Sequence, residues 1–298
     1  MKSSTSYGAS AARIDSDLFE LVSDLGGEIA CLEEITRLVS PRQVKASFKL
    51  RLKDGRTFKA RLYPSEEKRR RVHGLLPLIE DLPFARMIAA RGRATLEEWV
   101  EGDPLHAANV TQAQSGRAGE LLGLLHTRSG LPEGADAGDA ELHRQMAKIE
   151  AHLSAISRVA PEQSGMCETI AGIARGNCPE AIETGLIHAD YCAENIIVND
   201  DGIMVVVDNE LLRVGALDFD LARCWCRWPM KQSQRRAFIS GYERYRQMER
   251  FVAHRYFWAI RALALSWNVH LSHGRTNRPV MSALKRIASG DTARIWPV

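Results

Sequence analysis

The stretch Gly185-Leu-Ile-His188-Ala-Asp190-Tyr-Cys-Ala-Glu-Asn195-Ile-Ile-Val-Asn-Asp-Asp-Gly-Ile-Met-Val-Val-Val-Asp208-Asn-Glu210 decides the reading of this chain. An apolar pair, Leu186 and Ile187, runs into His188-x-Asp190, and Asn195 follows the aspartate by five residues. Ile196 to Val198 and Ile203 to Val207 read as two short strands about the polar turn Asn199-Asp200-Asp201-Gly202, because an Asp/Gly turn between β-branched runs marks a hairpin. Such a hairpin carries Asn195 at its entrance and Asp208 at its exit. Two oxygen-bearing side chains then converge on one point.

Phosphoryl transfer needs that geometry: an aspartate orients or accepts the acceptor hydroxyl proton, while an Asn and a second Asp hold Mg²⁺ on nucleotide phosphates. Mg²⁺ is a hard ion that takes oxygen ligands, so Asn and Asp suit it better than His and Cys. The pattern His188-x-Asp190-x4-Asn195 followed by Asp208-x-Glu210 resembles the catalytic core of the aminoglycoside phosphotransferase and choline kinase superfamily, distant relatives of protein kinases. The resemblance implies that Asp190 is the catalytic base, that His188 supports the loop, and that Asn195 and Asp208 bind Mg²⁺. Glu210 is expected to tune the metal shell or position the acceptor. Two features separate the chain from protein kinases: Ala189 stands where an arginine reads activation-loop phosphorylation, and Cys192 stands where a lysine follows the base.

The bulk numbers fit a globular enzyme of one large domain or two lobes, with 298 residues, 45% apolar and 26% charged. No uninterrupted apolar run approaches the ~20 residues of a membrane helix. Met1 to Ser10 is small and polar without an apolar centre, so no signal peptide is expected. Six cysteines include no C-x-x-C pair, which points away from a zinc site or disulfide framework and toward a reducing cytoplasm. The net charge of +3 hides a segregation. Residues 1–100 hold 18 Lys/Arg against 14 Asp/Glu, residues 101–210 hold 6 against 18, and residues 211–298 hold 16 against 5. The basic C-terminal third lacks aromatic interleaving or a helix-turn-helix pattern, so nucleic acid is not the expected partner. It packs on the acidic segment or faces an anionic acceptor.

Residues 1–14 read as a flexible tail, and the segment from Asp15 is helical in its first half up to Gly26-Gly27. Ala46 to Tyr63 alternates apolar Phe48, Leu50, Leu52, Phe58, Ala60 and Leu62 with basic residues about an Asp54-Gly55 turn, a hairpin with one apolar and one basic face, the latter either simply solvated or functional. In the superfamily this hairpin carries the phosphate-gripping lysine. The resemblance places Arg61 there, with Lys59 on the same face. The glycine-rich loop of relatives is missing, since residues 38–45 contain no glycine. Pro64-Ser65-Glu66-Glu67 starts a helix capped by Ser65; in the superfamily a glutamate of this helix pairs with the phosphate-binding lysine, and Glu67 is the nearest candidate here, although the best register puts Arg69 at that position. Ala94 to Leu105 resembles the inter-lobe linker whose backbone groups receive adenine, which nominates Glu98 and Val100. Further on, Ala118 to His126 matches a helix with a packing histidine, residues 127–140 read as a Gly/Ala/Asp loop, and Asp220 (or Asp218 in a shifted register) is expected to lock the catalytic loop from behind. The C-terminal aromatics from Phe238 to Trp267 keep a helical period and read as core.

The expected fold is α+β and kinase-like. A small antiparallel-sheet N-lobe spans residues 1–98, and a larger, mainly helical C-lobe spans residues 99–298. The expected function is Mg²⁺-dependent transfer of the γ-phosphate of ATP or GTP to a hydroxyl of a small molecule of aminoglycoside, amino-alcohol or sugar type. The rival readings are a nucleotide-binding or scaffolding pseudokinase and, with fewer supporting residues, a metal-dependent hydrolase built on His188-x-Asp190.

Overall fold

The structure is a computed structural model and describes residues 15–36, 46–106, 109–131, 138–275 and 277–291. The expected tail at 1–14, the glycine-free segment at 38–45 and residues 132–137 of the expected loop lie outside the described residues. The chain divides into two compact units. One comprises Met1–Arg70 and Arg86–Trp99, the other Arg71–Ala85 and Val100–Val298.

In the first unit, helix α1 (Ser16–Asp24) starts where the Asp15 carboxylate accepts from the Asp17 amide. It buries Leu18, Leu21 and Val22, the i, i+3, i+4 face of an amphipathic helix. Five antiparallel strands follow: β1 (Ile29–Glu34), β2 (Ala46–Leu52), β3 (Thr57–Leu62), β4 (Met87–Arg91) and β5 (Ala94–Glu98), in the order β1-β2-β3-β5-β4. The apolar members of the alternation, Leu50, Leu52, Phe58, Ala60, Leu62, Ala94 and Leu96, form one core with α1. Register therefore puts Lys49, Lys59, Arg61 and Glu97 on the opposite face. The expected β2–β3 hairpin is present, with Gly55 at φ 91° in its turn. Strand β1 escapes a sequence reading because a bulge between Ile29 and Cys31 replaces the two-residue alternation: Ile29 and Leu32 are partly buried and the other four residues are exposed. Helix α2 (Glu66–His73) runs across the division between the units, and the Ser65 hydroxyl accepts from the Lys68 amide at 3.2 Å, as expected of its cap.

The second unit is mainly helical. Strand β6 (Asp103–Pro104) precedes helices α3 (Gln112–His126), α4 (Gly138–Val159) and α5 (Ser164–Gly176). Strand β7 (Thr184–Ile187) then pairs antiparallel with β10 (Arg213–Ala216), and between them lie β8 (Ile196–Val198) and β9 (Met204–Val206). Helices α6 (Leu217–Arg227), α7 (Gln232–Glu243), α8 (Glu249–Ala253), α9 (Arg255–Ser272) and α10 (Arg278–Ala288) complete it. The C-terminal aromatics are largely core as expected: Phe238, Phe257, Trp258 and Trp267 are buried, whereas Tyr245 is exposed. Helices α3 and α7 pack backbone to backbone at Gly119 and Gly241; a Cβ on Gly119 would sit 2.0 Å from the Phe238 carbonyl oxygen, and one on Gly241 2.0 Å from that of Gly116. Among the described residues no helix is long and apolar enough to cross a membrane.

Candidate active site

Strand β7 ends at Ile187 and delivers His188, Ala189 and Asp190 in an unusual backbone path. Ala189 adopts φ 64°, a left-handed conformation that costs a residue with a Cβ roughly 1–2 kcal/mol. Asp220 holds it there. Its carboxylate, fully buried in the first turn of α6, accepts from the His188 amide through Oδ2 and the Ala189 amide through Oδ1, each at 2.7 Å. This settles the choice between Asp220 and Asp218 in favour of Asp220 as the residue behind the loop.

His126 does more than pack. Its Nε2 lies 3.3 Å from Asp220 Oδ2 and its Nδ1 2.8 Å from the Tyr242 hydroxyl. Burial pushes the His126 imidazole down against the opposing effect of its hydrogen bond to Asp220, and burial pushes the Tyr242 phenol up. The consistent assignment is a neutral ring that donates from Nε2 to Asp220 and accepts the Tyr242 O–H at Nδ1. Burial would raise Asp220, but the hydrogen bonds it accepts from His126 and from the His188 amide outweigh it and hold the carboxyl below its ordinary value. The buried end of the network is thus an ionised carboxylate with its donors supplied.

His188 is also fully buried. Its Nε2 donates to the Val207 carbonyl at 3.2 Å and its Nδ1 accepts the Asp190 amide at 3.3 Å. One ring therefore ties the loop carrying Asp190 to the strand end before Asp208. The Tyr191 hydroxyl anchors the loop from the other side by donating to the Ala118 carbonyl at 2.8 Å.

The hairpin brings Asn195 and Asp208 together as its register requires. Ile196 pairs with Val206, and the Val207 amide donates to the Asn195 carbonyl at 2.9 Å. Asn195 is buried and its Nδ2 donates to the Asp190 carbonyl at 2.9 Å, with a longer 3.4 Å approach to Asp190 Oδ2. With the amide nitrogen fixed on Asp190, Oδ1 is the oxygen that remains for a hard cation. Asp208 has φ 70°, a conformation Asp tolerates better than most residues and one that recurs at functional sites. Its neighbour Asn209 is locked by donating Nδ2 to the Ala85 carbonyl at 3.1 Å, and Glu210 is buried. Burial pushes the Cys192 thiol up to about 11, so the cysteine of this loop stays protonated.

Two residues that sequence reasoning missed hold Asp190 itself. Arg223 donates from Nη2 to Asp190 Oδ1 at 2.9 Å, and Arg227 donates from Nη1 to the same oxygen at 2.5 Å. Arg227 also approaches Glu194 at 3.4 Å. Asp220, Arg223 and Arg227 recur at i, i+3 and i+7, one face of α6. That stripe was the available signal.

On the first unit, Arg61 is 1% exposed and donates from Nε to Glu97 Oε1 at 3.1 Å. The acid facing Arg61 thus comes from β5 and not from α2, where Glu67 is exposed. The charged face of the sheet is solvated only in part: Arg61, Thr95 and Glu97 are buried, whereas Arg51 and Lys53 are exposed. Lys59 stands directly opposite Glu97 in the sheet register, and Lys49 lies 4.2 Å from the centre of the Trp99 ring. Glu98 is exposed and ends β5, its amide donating to the Arg86 carbonyl at 2.8 Å. Val100 begins the longer part of the second unit.

The family model of the phosphotransferase enzyme family (APH) matches residues 39–254, a span that contains every site residue named above. The chain belongs to this phosphotransferase family. It is a kinase, an enzyme that moves a phosphoryl group to a hydroxyl of a small molecule. Solved structures share the fold at low identity. Choline kinase LicA from Streptococcus pneumoniae is 14% identical with a TM-score of 0.67, covering 90% of this chain and 95% of that one. A macrolide 2'-phosphotransferase type I is 17% identical with a TM-score of 0.60, covering 92% and 96%. The ADP-bound aminoglycoside phosphotransferase APH(2'')-Ib is 15% identical with a TM-score of 0.60, covering 95% and 99%. No curated protein sequence matches the chain significantly. The α+β, kinase-like fold expected from the motif is the fold of this phosphotransferase.

Proposed function

We propose that this phosphotransferase transfers the γ-phosphate of ATP or GTP, with Mg²⁺, to the hydroxyl of a small molecule in the cytoplasm. The observation that carries the reading is the joint fixing of Asp190, Asn195 and Asp208 around one hairpin and one buried histidine. Asp190 is the base. Both guanidiniums take its Oδ1, so Oδ2 is the oxygen that orients and accepts the proton of the acceptor hydroxyl. Holding that carboxylate in one rotamer supplies the positioning on which phosphoryl transfer depends. His188 positions the loop and does not touch the reacting atoms.

Asn195 Oδ1 and the Asp208 carboxylate would hold Mg²⁺; they are hard oxygen donors, few in number, as suits an ion that keeps waters and phosphates in its shell. When bound, the ion neutralises charge on the transferring phosphate. On the first unit, Arg61 and Lys59 are the proposed phosphate contacts and the peptide group of Glu98 a proposed adenine contact; on the second, the peptide group of Val100 is another. A guanidinium at Arg61 grips phosphate as a planar fork, unlike the compact ammonium of a lysine.

The direct test is calorimetry of ATP and GTP with and without Mg²⁺ on the wild type and on Asp208→Ala. Mg²⁺-dependent binding that weakens at least tenfold in the variant supports the reading. Equal nucleotide affinity in the two proteins would remove Asp208 from the site.

A further inference from the structure

We infer that the acceptor carries an anionic group, a phosphate or carboxylate, received by a basic cluster of Lys148 on α4, Arg213 on β10, Arg223 on α6 and Arg261 on α9. The inference rests on the reading of Asp190 as the base, because Arg223 is the link between that residue and the cluster.

The four elements pack on one another: α4 against α9 and β10, and α6 against α9 and β10. Arg261 is 3% exposed. Its Nε donates to Gln145 Oε1 at 2.7 Å, but its Nη1 is buried with no hydrogen-bond partner among the described residues. The guanidinium carbons of Arg261 and Arg213 lie 4.5 Å and 5.6 Å from the centre of the same ring, Phe219. Among the described residues, neither these two arginines nor Lys148 makes an ion pair. The nearby carboxylates are already engaged. Glu141 accepts from Gln145 and from Arg144, Asp220 accepts from His126 and two amides, and Asp190 accepts from Arg223 and Arg227.

Glu141 attracts Lys148, Arg213 and Arg261, and Asp220 attracts Arg213, without forming an ion pair with any of them; buried cations so placed still repel one another and lose hydration. The titration of the cluster agrees. Burial first, and then Arg213 and Arg223, push Arg261 down to about 9; burial and then Arg261 push Lys148 down; and burial, Arg261 and Lys148 push His152 down to about 4. An anion among these groups relieves all three. Guanidinium forks match phosphate and carboxylate oxygens in pairs.

Arg223 sets the scale. It donates from Nη1 to Ser266 Oγ at 2.9 Å and from Nη2 to Asp190 Oδ1 at 2.9 Å, and Ser266 lies five residues beyond Arg261 on α9, about 7.5 Å along the helix axis. Arg223 itself touches Asp190, so a small alcohol with its anionic group in the cluster would present its hydroxyl to Asp190. Cationic acceptors would meet like charge.

The test uses inorganic phosphate as the probe, titrated by calorimetry into the full chain with the nucleotide site filled by ADP and Mg²⁺. Wild type, Lys148→Gln and Arg261→Gln are compared, Lys148 being only half-buried and tolerant of exchange. We expect phosphate to bind wild type and to bind Lys148→Gln at least tenfold more weakly, with ADP affinity unchanged. Equal phosphate affinity in wild type and Lys148→Gln, or phosphorylation of a choline-type cation in preference to anionic alcohols, overturns the inference. Failure of the kinase reading looks different: ADP does not bind, and phosphate affinity still depends on Lys148 if the anion site is real and is insensitive to it if the site is not.

Discussion

Arg223 and Asp190 form the contact on which the site turns: one guanidinium nitrogen sits 2.9 Å from Asp190 Oδ1 while another is fixed on Ser266 of a different helix. Arg227, one turn further along α6, takes the same oxygen. Asp190 is therefore oriented by a helix whose first turn carries Asp220, the residue that bends the loop beneath it.

Removing part of that clamp lowers turnover without loosening nucleotide. Arg227→Gln should reduce kcat about tenfold and Arg223→Met about a hundredfold, the scale of a misplaced catalytic group. Steady-state kinetics with nucleotide calorimetry checks this. A parallel loss of nucleotide affinity would show that these arginines do not act on Asp190.

The Arg61–Glu97 pair is buried on both sides. Arg61→Met alone should cost about 3–5 kcal/mol, because it strands a carboxylate in the interior. Arg61→Met with Glu97→Met should recover most of that loss. Denaturant unfolding of the three proteins decides it, and a double variant no more stable than the single one would contradict the pairing.

Two glycines in helices should respond in opposite directions. At Gly119 a methyl group would meet the Phe238 carbonyl, so Gly119→Ala should destabilise by about 2–3 kcal/mol as α3 and α7 are forced apart. Gly172 on α5 has open space around the same position, and Gly172→Ala should stabilise by about 0.5–1 kcal/mol. Thermal melts compare them directly.

Asp218 predicts a pH dependence. Burial pushes its carboxyl up from 3.8 to about 6, against the lowering charge of Arg250. The folded protein keeps that proton between about pH 4 and pH 6 while the unfolded chain releases it, so the contribution of Asp218 to stability falls as pH rises through this window and is flat above it. The buried His126, with its lowered value, acts with the opposite slope near its ordinary value. The readout is therefore the difference between wild type and Asp218→Asn in melts from pH 4 to 8. The variant should gain relative to wild type up to about pH 6, by at most about 3 kcal/mol. A constant difference would contradict the assignment.

Much of the site was legible because its chemistry is local. Only four residues separate Asp190 from Asn195, and a short Asp/Gly turn fixes where Asp208 emerges. The hydrogen bonds from Arg223 and Arg227 cross more than thirty residues, and only their spacing on α6 hinted at a shared face. The partner of Arg61 was hidden for a related reason: Glu97 reaches it through strand order, not through proximity in sequence. Strand β1 was invisible because its bulge erased the alternation. Likewise the role of His126 depends on Tyr242, contributed by a helix more than a hundred residues later.

The most direct measurement is transfer of labelled γ-phosphate from ATP or GTP, with Mg²⁺, to a panel of anionic, neutral and cationic alcohols by wild type and Asp190→Asn. Wild-type transfer that falls by about 10²–10⁴-fold in the variant, with nucleotide affinity intact, is the predicted result. Turnover surviving in Asp190→Asn would contradict the assignment of Asp190 as the base.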